Sequence, residues 1–83
     1  MGKYEQIIEW IFQHNYRPGD VIVRFNREEL AQASAELGFA RIKNLGDIPY
    51  SFRFRRELPL SVQATASTGA EWIIVGVGIG DYA

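Results

Sequence analysis

Five cations crowd one stretch of the chain. Between positions 41 and 56 stand Arg41, Lys43, Arg53, Arg55 and Arg56, against Asp47 alone. Acidic residues gather elsewhere, at Glu5, Glu9, Glu28, Glu29 and Glu36. A guanidinium offers two parallel donors, which fit a phosphate or the O6 and N7 atoms of guanine. On a helix, Arg53 and Arg56 would share a face, because residues three apart are neighbours there, and Arg55 would lie beside it. Their expected task is groove contact with double-stranded DNA. Arg41 and Lys43, ahead of that segment, and the Ser51 hydroxyl would meet the phosphate backbone. Gln63, Thr65 and Thr68 are further polar positions suited to sugar or phosphate. The plainer reading of the arginines is a solvated helix end, or pairing with Asp47 and Glu57, which surface charges do for little energy. Tyr50, Phe52 and Phe54 read better as core than as stacking platforms. So does Trp72, with its N–H at an edge. The lone His14 reads as a surface residue near a helix end.

Catalytic patterns fit poorly. Gly76-Val77-Gly78-Ile79-Gly80 has the glycine content of a dinucleotide fingerprint, but the third glycine is misplaced and no helix has room to follow. Alternating glycines suit a strand face left bare for a close neighbour. A phosphate-loop lysine, HExxH and Gly-x-Ser-x-Gly are all missing from the sequence. A metal-dependent nuclease centre wants Asp and Glu with a Lys on adjoining strands. Here the lysines are Lys3 and Lys43, and Asp20 and Asp47 sit in turn-like sequence. The expectation is a non-catalytic chain with no cofactor and no metal site.

Eighty-three residues allow one domain with a small core. Apolar residues make up 47% and charged residues 23%, a globular balance that argues against disorder. The net charge of −1 argues against a binder that is basic all over, so any steering of an anion must come from the 41–56 stretch. Without cysteine there are no disulfides or thiolate metal sites, which suits a reducing cytoplasm. No apolar run approaches the ~20 residues of a membrane span, and the polar N-terminus has no signal-peptide core. The chain ends on Trp72 to Ala83 without a polar tail. It is therefore expected to be a single domain over 1–83, the N-terminal fragment of a longer protein.

The elements that would carry these residues follow from periodicity. Tyr4, Ile7, Ile8 and Ile11 mark one face of a helix that should stop near His14-Asn15, before the turn sequence Arg17-Pro18-Gly19-Asp20. Val21 to Phe25 reads as a short strand. Asn26 and Glu29 form an N-cap signal for a helix with Leu30, Ala33 and Leu37 inward, and Gly38 fits its end. Residues 40–60 are ambiguous. As a strand the run from Tyr50 to Arg56 alternates aromatic with polar, and as a helix it stacks Tyr50 over Phe54 and Ile48 over Phe52, so period does not decide. A helix from about Pro49 to Glu57 is expected because it completes a familiar architecture. Ser61 to Ala66 and Glu71 to Val75 read as a hairpin around Ser67-Thr68-Gly69-Ala70. The order is α-β-α-α-β-β. That is an α+β winged helix-turn-helix with a small antiparallel sheet, the basic helix as the reading helix and the hairpin as the wing.

The run Asn44-Leu45-Gly46-Asp47-Ile48-Pro49-Tyr50-Ser51-Phe52-Arg53-Phe54-Arg55-Arg56-Glu57-Leu58-Pro59, with Gly69-Ala70-Glu71-Trp72-Ile73-Ile74-Val75-Gly76-Val77-Gly78, resembles the N-terminal region of bacterial restriction-endonuclease-like proteins. In those proteins a small winged-helix-like domain precedes the nuclease domain. The resemblance implies a DNA-recognition module of a restriction-type or defence endonuclease, with the cutting centre in a nuclease domain in cis. It supplies no motif for carrying over individual residues. The rival expectation is a protein-interaction or dimerisation winged helix that binds no nucleic acid. There Trp10, Tyr16 and the glycine-faced strand would form the contact surface, and a homodimer would be natural.

Overall fold

The computed structural model describes residues 2–20, 22–39, 44–54, 56–66, 71–74, 76–78 and 81–82. Helix α1 spans Lys3–Asn15 and buries Ile7, Ile8 and Ile11, the stripe anticipated from their spacing. Each such side chain contributes roughly 1.5–3 kcal/mol by leaving water. The Glu5 carboxylate accepts the Gly2 N–H at 2.6 Å, satisfying an orphan donor where the helix dipole favours negative charge. At the other end the Tyr16 N–H closes on the Phe12 carbonyl. Asp20 then clasps the turn by accepting the Arg17 N–H at 2.9 Å. Gly19 takes φ +97°, a conformation in which a side chain would be strained.

Strand β1, Phe25–Asn26, leads into helix α2, Arg27–Glu36. Asn26 Oδ1 accepts the Glu29 N–H at 3.0 Å, as the N-cap signal requires. Leu30 and Ala33 are fully buried against α1. The Asn15 amide donates to the Arg24 carbonyl and to Glu29 Oε2, tying the end of α1 to the start of α2. Gly38, at φ +76°, terminates α2 in the left-handed conformation expected of it.

Helix α3 spans Asp47–Phe54, so the ambiguous segment is helical. It starts two residues before Pro49 and stops short of Glu57. Pro49 lies within the first turn, where its missing N–H would have had no intrahelical partner. Ile48 and Phe52, one turn apart, are buried while Tyr50 points to solvent, a pattern only the helical period gives. Helix α4, Leu60–Gln63, follows Pro59, whose carbonyl accepts the amides of Val62 and Gln63. Ser61 Oγ donates to the Glu9 carboxylate and joins α4 to α1. The core cluster gathers α1, α2 and α3 with Phe25 and Ile74.

The winged helix-turn-helix expectation is overturned. Among the described residues the structure is mostly helical, with four helices, and 22–25, 61–66 and 71–74 do not form the small antiparallel sheet expected from 21–25, 61–66 and 71–75. Residues 60–63 are helix, because the carbonyl of the N-cap Pro59 accepts the Val62 and Gln63 amides and Val62 is the residue of that turn that is buried. Residues 71–74 form no regular element, and of the described residues 22–25 only Phe25 is paired. Among the described residues, extended pairing involves β1, β2 (Gly76–Gly78) and β3 (Asp81–Tyr82), two or three residues each, in the antiparallel order β1-β3-β2. Residues 37–46 separate α2 from α3, too long a connection for the tight turn of a helix-turn-helix. The expected wing loop, 67–70, lies outside the described residues.

Candidate functional site

The C-terminal end of α3 faces α4 and the 71–74 segment across an open cleft of about 480 Å³. Arg53 reaches it from the exposed side of α3, and Arg56 from just beyond the helix. The Arg56 backbone N–H donates to the Ser51 carbonyl at 2.8 Å, which curls the chain past the helix end, and Arg53 and Arg56 both line the cleft. Glu57, Gln63, Glu71 and Trp72 complete the polar and aromatic wall, and buried Phe52 and Ile74 supply its apolar base. The cleft therefore holds two cations and two anions around an apolar floor.

Arg56 has neighbours already. Its Nη1 lies 2.5 Å from Glu5 Oε1, and its guanidinium carbon sits 5.2 Å from the centre of the Tyr4 ring. The Arg56 side chain is 46% exposed and that of Glu5 21%. Tyr4 in turn donates its hydroxyl to Asp47 Oδ2 at 3.1 Å, so α1 and α3 share a polar chain from Asp47 to Gly2. Burial, then the hydrogen bond to Asp47 and its charge, push the Tyr4 hydroxyl above its ordinary pKa, with Arg56 acting in the opposite direction.

Trp72 is positioned from two sides. Its Nε1–H donates to Thr65 Oγ1 at 2.8 Å, and its ring meets Phe12 and Tyr16 edge to face at 5.3 and 5.9 Å. Thr65 is fixed by donating to the Val62 carbonyl. Gln63 is held through its amide, which donates to the Leu58 carbonyl.

Of the residues expected to touch DNA, Arg53 and Arg56 are brought together. Ser51 is not available: it is 3% exposed, and its hydroxyl donates to the Asp47 carbonyl at 2.8 Å inside α3. The hydroxyl bonds back to the preceding turn, which serine readily does in a helix. It is thereby turned away from any phosphate. Arg41, Lys43 and Arg55 lie outside the described residues, as does Thr68. Glu71 and Trp72 were not anticipated at the site, and Glu57 only as an ion-pair partner for the arginines. Their only signal was polar and aromatic character flanking a loop. His14 is exposed at the end of α1, stacked on Trp10 at 3.8 Å, as its position suggested.

Gly76–Gly78 runs in β2 and opens no helix. Among the described residues, no group of three or more His, Asp or Glu side chains could hold a metal ion. No described helix is long and apolar enough to cross a membrane. No protein-family model, curated protein or solved structure matches the chain.

Proposed function

We propose that this chain is a DNA-binding module, the recognition part of a bacterial restriction-type or defence endonuclease acting in the cytoplasm. In this reading double-stranded DNA is the partner, the chain itself cuts nothing, and cleavage belongs to a nuclease domain in cis. The observation that carries the reading is that Arg53 and Arg56 line one open cleft. The resemblance of residues 44–59 and 69–78 to restriction-endonuclease-like N-terminal regions points the same way. The ion pair between Arg56 and Glu5 does not oppose it strongly. A half-exposed pair is worth about 0–1 kcal/mol, and a phosphate can replace the carboxylate with two charge-assisted hydrogen bonds. With a net charge of −1, binding should rest on few phosphate contacts and be modest.

The test is a fluorescence-polarisation titration of labelled duplex over a range of salt. Each phosphate contact contributes about −0.9 to the slope of log affinity against log salt, so loss of two contacts flattens it by about 1.8. The Arg53→Ala/Arg56→Ala variant should bind more weakly with that flatter slope while remaining folded. Affinity equal to the parent chain would sink the reading.

A second reading, a protein-interaction or dimerisation module, is favoured by exposed apolar side chains. Leu60 is 80% exposed, Ile73 64% and Ile22 57%. Ile73 also lines a small apolar groove with Ile8, Phe12, Val23 and Val62. Sedimentation equilibrium decides between them: concentration-dependent self-association without duplex binding supports this second reading.

A further inference from the structure

The cleft beneath Arg53 and Arg56 has a composition that phosphate binding alone does not explain. A site built for a bare anion would exclude carboxylates, yet Glu57 and Glu71 line this one. Cations and carboxylates both line it, so the cleft suits a ligand carrying an anion at one end, which would displace Glu5 from Arg56, and hydrogen-bond donors at the other. Its volume of about 480 Å³ falls within the roughly 300–1,000 Å³ that houses small organic ligands, and no duplex can enter it. One wall is an indole whose only donor is spent on Thr65, so Trp72 offers the cleft aromatic carbon and nothing polar. Gln63 holds its amide N–H₂ against the Leu58 carbonyl, which orients its side chain at the wall.

We infer that the cleft receives a single nucleotide extruded from the duplex, and that it favours a base with an exocyclic amino group. This rests on the DNA-binding reading above and names what that site takes. Arg53 and Arg56 hold the flanking phosphate by charge-assisted hydrogen bonds. The base lies against Trp72 over the apolar floor of Phe52 and Ile74, a contact available to any base. Glu57 or Glu71 accepts from the exocyclic amine, the pairing by which carboxylates read cytosine N4. Thymine has no such amine and leaves the carboxylates facing carbonyl oxygens.

The experiment uses the full chain and three duplexes of one sequence: fully paired, with one C·C mismatch, and with one T·T mismatch. A mismatch lowers the cost of extrusion, so it exposes a pocket for the extruded base. The C·C duplex should bind about tenfold tighter than the paired one, and the T·T duplex should gain less. In Glu57→Gln/Glu71→Gln, where both changes fall on exposed side chains, the C·C over T·T preference should disappear. Adding 2′-deoxycytidine monophosphate should also shift the Trp72 indole N–H resonance. Equal affinity for all three duplexes overturns the pocket and leaves duplex recognition standing. Failure to bind any duplex overturns both. A C·C preference that survives in the double variant overturns the role of the carboxylates.

Discussion

Arg56 Nη1 meets Glu5 Oε1 at 2.5 Å, and through that contact the end of α3 is fastened to the first turn of α1. The same Glu5 carboxylate holds the Gly2 N–H, so one side chain serves a helix start and a cation of the candidate DNA face. Glu5 therefore competes with any phosphate for Arg56. Glu5→Gln should lower stability by about 0.5–1 kcal/mol in urea denaturation, from the lost pair and the lost dipole interaction. It should raise duplex affinity two- to threefold by freeing Arg56, which polarisation titration at low salt would register. Weaker or unchanged binding would show that Arg56 makes no contact with the duplex.

Ser34 is buried in α2, and among the described residues its hydroxyl is the buried side-chain polar atom without a hydrogen-bond partner. An unsatisfied buried donor costs about 1–3 kcal/mol. Alanine removes that cost and is the better helix former. Ser34→Ala should accordingly raise stability by roughly 0.5–1.5 kcal/mol, read from the urea midpoint at unchanged m value. A loss of stability would mean that the hydroxyl has a partner in the folded chain.

Tyr4 links pH to stability through its bond to Asp47. Burial, with the hydrogen bond and charge of Asp47 behind it, raises the folded hydroxyl's pKa above 10.0, so the folded state keeps its proton longer than the unfolded state does. The stabilising contribution is then complete below about pH 10 and is lost as pH climbs through the raised value. Tyr4→Phe should cost about 1 kcal/mol at pH 8 for the missing hydrogen bond and should remove this part of the alkaline decline. Denaturation at intervals from pH 8 to 11 compares the two chains. Parallel curves would exclude Tyr4 as the titrating group.

The features legible in the sequence are those fixed by residues near one another in the chain. The Ile7, Ile8 and Ile11 stripe, the Asn26 cap on Glu29, the turn at Arg17 to Asp20 and the helix end at Gly38 all express local geometry, and all appear as anticipated. The helix at Asp47–Phe54 was half legible, because Ile48 and Phe52 match a helical turn while Tyr50 and Phe52 alternate like a strand. Exposure of Tyr50 between buried Ile48 and Phe52 decides it. Helix α4 was misread because four residues hold little more than one turn, too few to show a period. There the decisive cue was Pro59, which presets φ and needs no N–H partner. The cleft was least legible of all. It joins residues 53–57 to 71–74 through tertiary packing, and no spacing along the chain records that two arginines and two glutamates will share a wall.

The wall depends on one hydrogen bond between α4 and the segment after it. Thr65 Oγ1 accepts the Trp72 indole N–H at 2.8 Å and donates to the Val62 carbonyl, so it relays the position of the helix to the ring. Thr65→Val keeps the volume and β-branching and deletes both bonds. Because Trp72 is half-buried, water can reach part of the freed N–H, and the cost should be about 1 kcal/mol rather than the full desolvation penalty. The indole N–H should exchange with solvent faster, and its proton resonance should move, while the Phe12 and Tyr16 contacts keep the ring near its place. Exchange as slow as in the parent chain would show that packing alone holds the indole, and that the cleft keeps its shape without Thr65.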